Sequence, residues 1–200
     1  MASIDTNTNS WRHLCIDMQR MFSEETPWQV DWMPKILGNV GRLVQEWPQQ
    51  TIFTRFVPPR APDTMPGRWR DYYTKWWMMT GEHLPSDMVA LTPPLSELVP
   101  PARIFDKQVY SPWIGGRLHA ALTDEKVTTL AVTGGETDVC VLATVLGAID
   151  LGYHVVLLKD AVCSGADETH DASLELLGDR FSVQLDVCTV DEFLDTAVHA

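Results

Sequence analysis

Cys140, Asp17 and Lys107 are the side chains whose types and placement could do chemistry. Cys140 follows a strand-like run, Leu130-Ala131-Val132, then a turn, Thr133-Gly134-Gly135-Glu136, and a Thr137 able to cap a helix. That order places its thiol in the first turn of a helix, where backbone N–H groups and the helix dipole favour thiolate and lower a cysteine's pKa. The paired glycines let the backbone approach a ligand closely. The chemistry on offer is nucleophilic attack, and the competing reading is a packed core cysteine, since free cysteine is among the most buried residue types. Asp17 follows Leu14-Cys15-Ile16, so it ends a strand and reads either as a general base or as a cap for the next turn. Lys107 ends Arg103-Ile104-Phe105-Asp106, where a lysine belongs either to a site or to ordinary surface. Cys15, Cys163 and Cys188, in strands or just beyond them, read as core.

The elements that must position these groups are short apolar runs alternating with helical patterns. Strands are expected over 12–17, 51–55, 103–106, 127–133, 154–159 and 181–187, where β-branched content and brevity favour buried strands over helices. Helical spacing covers 34–47, 114–122, 137–151, 167–177 and 190–197, some with Pro or Asp near the start and Gly near the end. Proline-rich stretches 57–66 and 92–101 are loops. The alternation implies an α/β fold of three αβα layers around a mostly parallel, Rossmann-like sheet. In such sheets reactive groups gather beyond the carboxyl ends of the strands, which is where all three residues fall.

Two hundred residues suit a single domain spanning 1–200, with 1–10 flexible. With 45% hydrophobic and 21% charged residues the composition is that of a globular chain, not a disordered one. No apolar stretch approaches a membrane span, and the N-terminus lacks a signal pattern, so a cytoplasmic protein is expected. The net charge is -12, and residues 108–200 hold fifteen acidic and only four basic side chains. A field of that sign argues against nucleic acid and anionic membrane as partners. The four cysteines lie far apart without a C-x-x-C pair, which reads as reduced thiols. There is no G-x-S-x-G, G-x-G-x-x-G, P-loop or H-E-x-x-H, and Leu146 rather than arginine stands six positions after Cys140, so the cysteine phosphatase loop is absent.

Together, Asp17, Lys107 and Cys140 resemble the catalytic triad of the isochorismatase-like cysteine hydrolases, which include nicotinamidases and N-carbamoylsarcosine amidases. The resemblance spans nearly the whole chain. It is carried by L-C-I-D-M-Q-R-M-F from Leu14 to Phe22, D-K-Q-V-Y-S-P-W from Asp106 to Trp113, G-G-E-T-D-V-C-V from Gly134 to Val141 and D-A-V-C-S-G from Asp160 to Gly165. It implies a six-stranded parallel sheet between helices, homodimers or homotetramers, and a cis peptide between Gly135 and Glu136. It also implies roles: Asp17 takes the Cys140 proton, Lys107 holds both by its charge, and the thiolate forms a thioester. Backbone N–H groups of Glu136 and Cys140 would form the oxyanion hole.

The chain departs from metal-dependent nicotinamidases at their D-x-H, where it has Thr54-Arg55-Phe56, so no metal or cofactor is expected. Arg55 becomes either a binder of substrate carboxylate or carbonyl, or a structural ion-pair partner. The aromatic stretch from Pro66 to Trp77 either packs a core or interface or walls the pocket. Phe22, Arg55, Trp76, Tyr110 and Trp113 are the candidate substrate-binding residues. The expected activity is cleavage of a C–N bond in a small amide or ureido compound. The alternatives are a non-catalytic metabolite- or partner-binding relative, and a vinyl ether hydrolase of the isochorismatase type.

Overall fold

Strand β1 (Trp11–Ile16) is buried at every position, which only a central strand covered on both faces can satisfy. In the computed structural model, which describes residues 10–198, its neighbours are β2 (Thr51–Phe56) and β4 (Thr129–Gly135). The flexibility expected over 1–10 falls, but for Ser10, outside the described residues. With β3 (Arg103–Lys107), β5 (His154–Cys163) and β6 (Leu185–Cys188) the sheet has six strands, all pairings parallel, in the order β3-β2-β1-β4-β5-β6. The chain first steps to one side of β1 and then crosses to the other. The reversal leaves a crevice between the carboxyl ends of β1 and β4.

The helices are α1 (Arg20–Ser23), α2 (Met33–Glu46), α3 (Arg68–Lys75), α4 (Arg117–Asp124), α5 (Leu142–Asp150), α6 (Asp167–Arg180) and α7 (Val190–Val198). Helix α2 opens with Pro34 in its first turn and buries Met33, Ile36, Val40, Leu43 and Val44, one stripe at helical spacing. It lies beside α7, where Trp47 and Phe193 meet edge to face at 5.7 Å over Trp11 and Arg42 pairs with Asp191 at 2.7 Å. Right-handed crossovers running the other way put α4, α5 and α6 on the opposite face. Three layers result.

Several expected boundaries move. Helix α6 runs three residues past Leu177, and the turn closed by Leu185 N–H on Phe181 C=O delays the last strand to Leu185. Strand β5 continues through Asp160 to Cys163 because that carboxylate is satisfied, accepting from Asn39 at 3.0 Å and from Val190 N–H at 2.8 Å. Helix α4 starts at Arg117, since Gly115 and Gly116 adopt positive φ. Helices α1 and α3 were not foreseen.

Candidate active site

Asp17 leaves β1 in the left-handed region, φ 50°, a conformation that aspartate tolerates better than most residues. Its backbone N–H donates to the Thr54 carbonyl at 3.2 Å, and the Thr54 hydroxyl donates to Oδ1 at 2.6 Å. Lys107, paired in register with Phe56 at the end of β3, sends Nζ to Asp17 Oδ2 at 2.6 Å. The same Nζ lies 3.5 Å from Cys140 Sγ and 3.2 Å from the Val109 carbonyl. The side chains of Lys107 and Asp17 are 3% and 1% exposed, so this ion pair is out of water and its geometry is fixed. Burial drives the Lys107 pKa down, but Asp17 and Cys140 drive it up and prevail.

Cys140 sits in a π-helical turn, Thr137–Val141, inserted between β4 and α5. Val141 N–H reaches the Glu136 carbonyl at 3.0 Å, and Leu142 caps the turn on Thr137. Two bonds tie the turn to its surroundings: Ser164 Oγ donates to Asp138 Oδ1 at 2.5 Å, and Thr137 Oγ1 lies 2.9 Å from His170 Nδ1. The peptide between Gly135 and Glu136 is cis, as the resemblance implies. The expected drop in the Cys140 pKa is not what the structure produces. Burial and the adjacent Asp17 charge push the thiol well above its ordinary value, against a weaker pull from Lys107. The resting group is therefore a thiol.

Over Cys140 opens a cavity of about 340 Å³. Cys140, Gly135 and Glu136 line its floor, and Phe22, Trp28, Phe56, Tyr72, Trp76 and Tyr110 its walls. Trp28 is the hub of the walls. It stacks on Phe22 at 6.2 Å and meets Phe56 and Trp76 at interplanar angles of 78° and 69°.

Phe22, Trp76 and Tyr110 therefore reach the cavity, whereas Arg55 and Trp113 do not. Consecutive strand residues point to opposite faces, so Thr54 and Phe56 face the site while Arg55 turns away. Arg55 binds Asp106 in a bidentate pair at 2.7 and 2.8 Å, the structural alternative. Trp113 packs behind the nucleophile's helix: its Nε1–H donates to the Thr144 carbonyl at 2.8 Å and its ring stacks on Tyr153. Gly147 makes room there, since a Cβ would lie 2.3 Å from the indole. Sequence reasoning missed Trp28, Tyr72 as an individual wall residue, and the Thr54 hydroxyl as a partner of Asp17. The clustering of tryptophan in the first half was the available signal for the walls.

The residues do not suit a nicotinamidase-type metal. The Thr54 hydroxyl is committed to Asp17, Phe56 offers no donor, and among the described residues no three His, Cys, Asp or Glu side chains come together. Among those residues, too, no helix is long and apolar enough to cross a membrane.

Comparison with known proteins agrees with this fold. The family model of the isochorismatase domain matches residues 13–189. An isochorismatase family protein of Bacillus subtilis (strain 168), PncA, is 30% identical over 66% of this chain. That match spans 64% of the relative's length, slightly under two thirds. Another from the same organism, YwoC, is 24% identical over 83% of this chain and 85% of its own. Among solved structures, a cysteine hydrolase from Pseudomonas syringae pv. phaseolicola 1448A superposes with a TM-score of 0.83 at 24% identity, covering 98% of this chain and 96% of that one. The nicotinamidase/pyrazinamidase PncA of Bacillus subtilis gives 0.75 at 21%, covering 88% and 98%.

Proposed function

Because the chain belongs to the isochorismatase family, we propose that it is a cysteine hydrolase that cleaves the C–N bond of a small amide or ureido compound. One observation carries the reading: a single buried ammonium, Lys107 Nζ, bridges Asp17 at 2.6 Å and Cys140 at 3.5 Å, and Cys140 lines a cavity. Asp17 takes the proton of Cys140, and the thiolate attacks the substrate carbonyl carbon. The cost of a thiolate in a buried site is met by Lys107, whose charge persists throughout. Backbone N–H groups of Glu136 and Cys140 receive the oxyanion, each worth on the order of 3 kcal/mol in comparable sites. As the tetrahedral adduct collapses, Asp17 gives its proton to the leaving nitrogen and a thioester remains. Water, deprotonated by Asp17, attacks the thioester and releases the acid, restoring the thiol.

The neighbouring structures include nicotinamidases, but Thr54 and Phe56 at the positions of their D-x-H argue for a different amide. Four free cysteines suit a reducing compartment, taken here as the cytoplasm. A homodimer or homotetramer belongs to the same proposal. The test is ammonia release from a panel of small carboxamides and ureido acids by the wild type and by Cys140→Ala. Turnover should fall by about 10³-fold or more in the variant, with the fold retained by circular dichroism. Full activity of Cys140→Ala would overturn the reading.

A further inference from the structure

Hydrolysis through Cys140 makes no use of the Glu136 side chain, although this is the one formally charged side chain among the residues lining the cavity. Its Oε1 accepts a long bond, 3.4 Å, from Gly165 N–H, and among the described residues no Lys, Arg or His pairs with it. Glu136 lines the cavity together with Tyr72 and Tyr110. Its place in that lining puts a carboxylate at the edge of the space a substrate would fill. Burial, then Asp138, pushes its pKa up, the signature of an anion lacking a cation.

The walls point the same way. Six aromatic side chains, Phe22, Trp28, Phe56, Tyr72, Trp76 and Tyr110, line the cavity, with Trp28 set at 78° to Phe56 and 69° to Trp76. Such boxes attract organic cations through the negative ring faces. A substrate carboxylate meets no cationic side chain in the lining: Arg55 is bound to Asp106 outside the cavity, Lys107 is paired with Asp17, and Lys75 lies on helix α3, 5.1 Å from the Trp76 ring centre. A neutral aromatic amide would satisfy the rings but leave Glu136 unpaired.

We propose that the cavity selects an amide or urea carrying an organic cation, an alkylammonium group above all, with the charge held by Glu136 and the rings of Trp28, Tyr72 and Trp76 and the carbonyl presented to Cys140. This rests on the hydrolase reading for the reaction itself: the amide and water give a carboxylate and ammonium, and the cationic group is carried through unchanged. The cation also lies where it helps balance the oxyanion.

Two matched pairs test it on the wild-type protein. Binding compares choline with its tert-butyl isostere, in which carbon replaces the quaternary nitrogen, by calorimetry and tryptophan fluorescence. Hydrolysis compares glycine betaine amide with its tert-butyl isostere and with malonamate, by ammonia release. Choline should bind about tenfold or more tightly than its isostere, and kcat/KM should fall in the order cation, neutral, anion. In Glu136→Gln the cation-to-neutral ratio should drop about tenfold in both assays, with Glu136→Asp keeping part of it. General damage lowers both members of a pair and leaves the ratio unchanged. Equal or weaker binding of choline, or an unaltered ratio in Glu136→Gln, overturns the proposal. A choline preference without ammonia release from any amide supports the cation site and overturns the hydrolase reading alone.

Discussion

Thr54 shows how much of this site hangs on single atoms. Its hydroxyl is fully buried and gives Asp17 Oδ1 a donor at 2.6 Å, while Lys107 serves Oδ2. Hydrogen bonds to charged groups contribute about 1.5–3 kcal/mol. Thr54→Val, nearly isosteric, should therefore cut kcat by roughly 10- to 100-fold, and Thr54→Ser should restore most of it. A fully active Thr54→Val would show that the hydroxyl does not hold the base. His13 gives a second test. It is buried between Thr51 and Thr133, with ring nitrogens 3.1 and 2.8 Å from their hydroxyls, and burial lowers its pKa from 6.5 to about 3. The folded protein thus keeps it neutral while the unfolded chain takes up a proton below 6.5. Its contribution is complete above that pH and is lost on acidification, at about 1.4 kcal/mol per pH unit, until the folded group titrates near 3. Urea midpoints at several pH values between 7 and 4 should show that slope reduced by one proton in His13→Gln; parallel slopes would contradict it. Asp17, Lys107 and Cys140 were legible in the sequence because Asp17 and Lys107 end strand-like runs and Cys140 opens the helix after another, and strand ends in a parallel sheet converge. The Thr54 bond was not, because it depends on β1 and β2 lying side by side in a register that spacing alone does not give.

At the scale of elements, the junction of β4 with the nucleophile turn is the most constrained place in the molecule. Gly134, φ 106°, pairs with Ile16 of β1, and a Cβ there would sit 2.0 Å from the Ile16 carbonyl oxygen. That contact is with backbone, not with a yielding side chain. Gly134→Ala must either part β1 from β4 or shift the turn that carries Cys140, and should cost about 3 kcal/mol or more in chemical denaturation. A loss below about 1 kcal/mol would mean that the junction relaxes freely. The Gly-Gly pair announced a special backbone in the sequence, and all six strands were legible from β-branched runs. The π-helical start of the following helix was not, since Thr137 to Leu151 has ordinary helical spacing, and only the demand to aim Cys140 at Asp17 distinguishes the first turn. Helix α3 escaped notice for a related reason. Arg68–Lys75 has low mean hydropathy, fully buries only Tyr73 and is defined by packing Trp69 and Tyr72 against one another and the cavity wall. Tertiary contact, not periodicity, makes it a helix.

At the scale of the molecule, the forces bearing on association oppose one another. Most of the tryptophan area is hidden within one chain: Trp11 is 1% exposed and Trp113 9%, and the exposed tryptophans are Trp32 and Trp77, at 37% and 51%. What remains outside includes Ile104 on β3 and Ile114, 71% exposed, near the same edge of the sheet. An edge strand with apolar side chains beside it is a natural surface for a second copy. Against this stands the net charge of -12, which makes copies repel at low ionic strength. Salt at 0.15 M shortens the screening length to about 8 Å and should remove most of that repulsion. The expected result from light scattering is therefore a dimer or tetramer of the 22.5 kDa chain at micromolar concentration, holding together better at 0.15–0.5 M salt than at about 0.01 M. Replacing Ile104 and Ile114 together by lysine should shift the population toward monomer if the β3 edge is the contact. A particle of 22.5 kDa at every salt concentration would show that the exposed apolar side chains are too few to outweigh the charge.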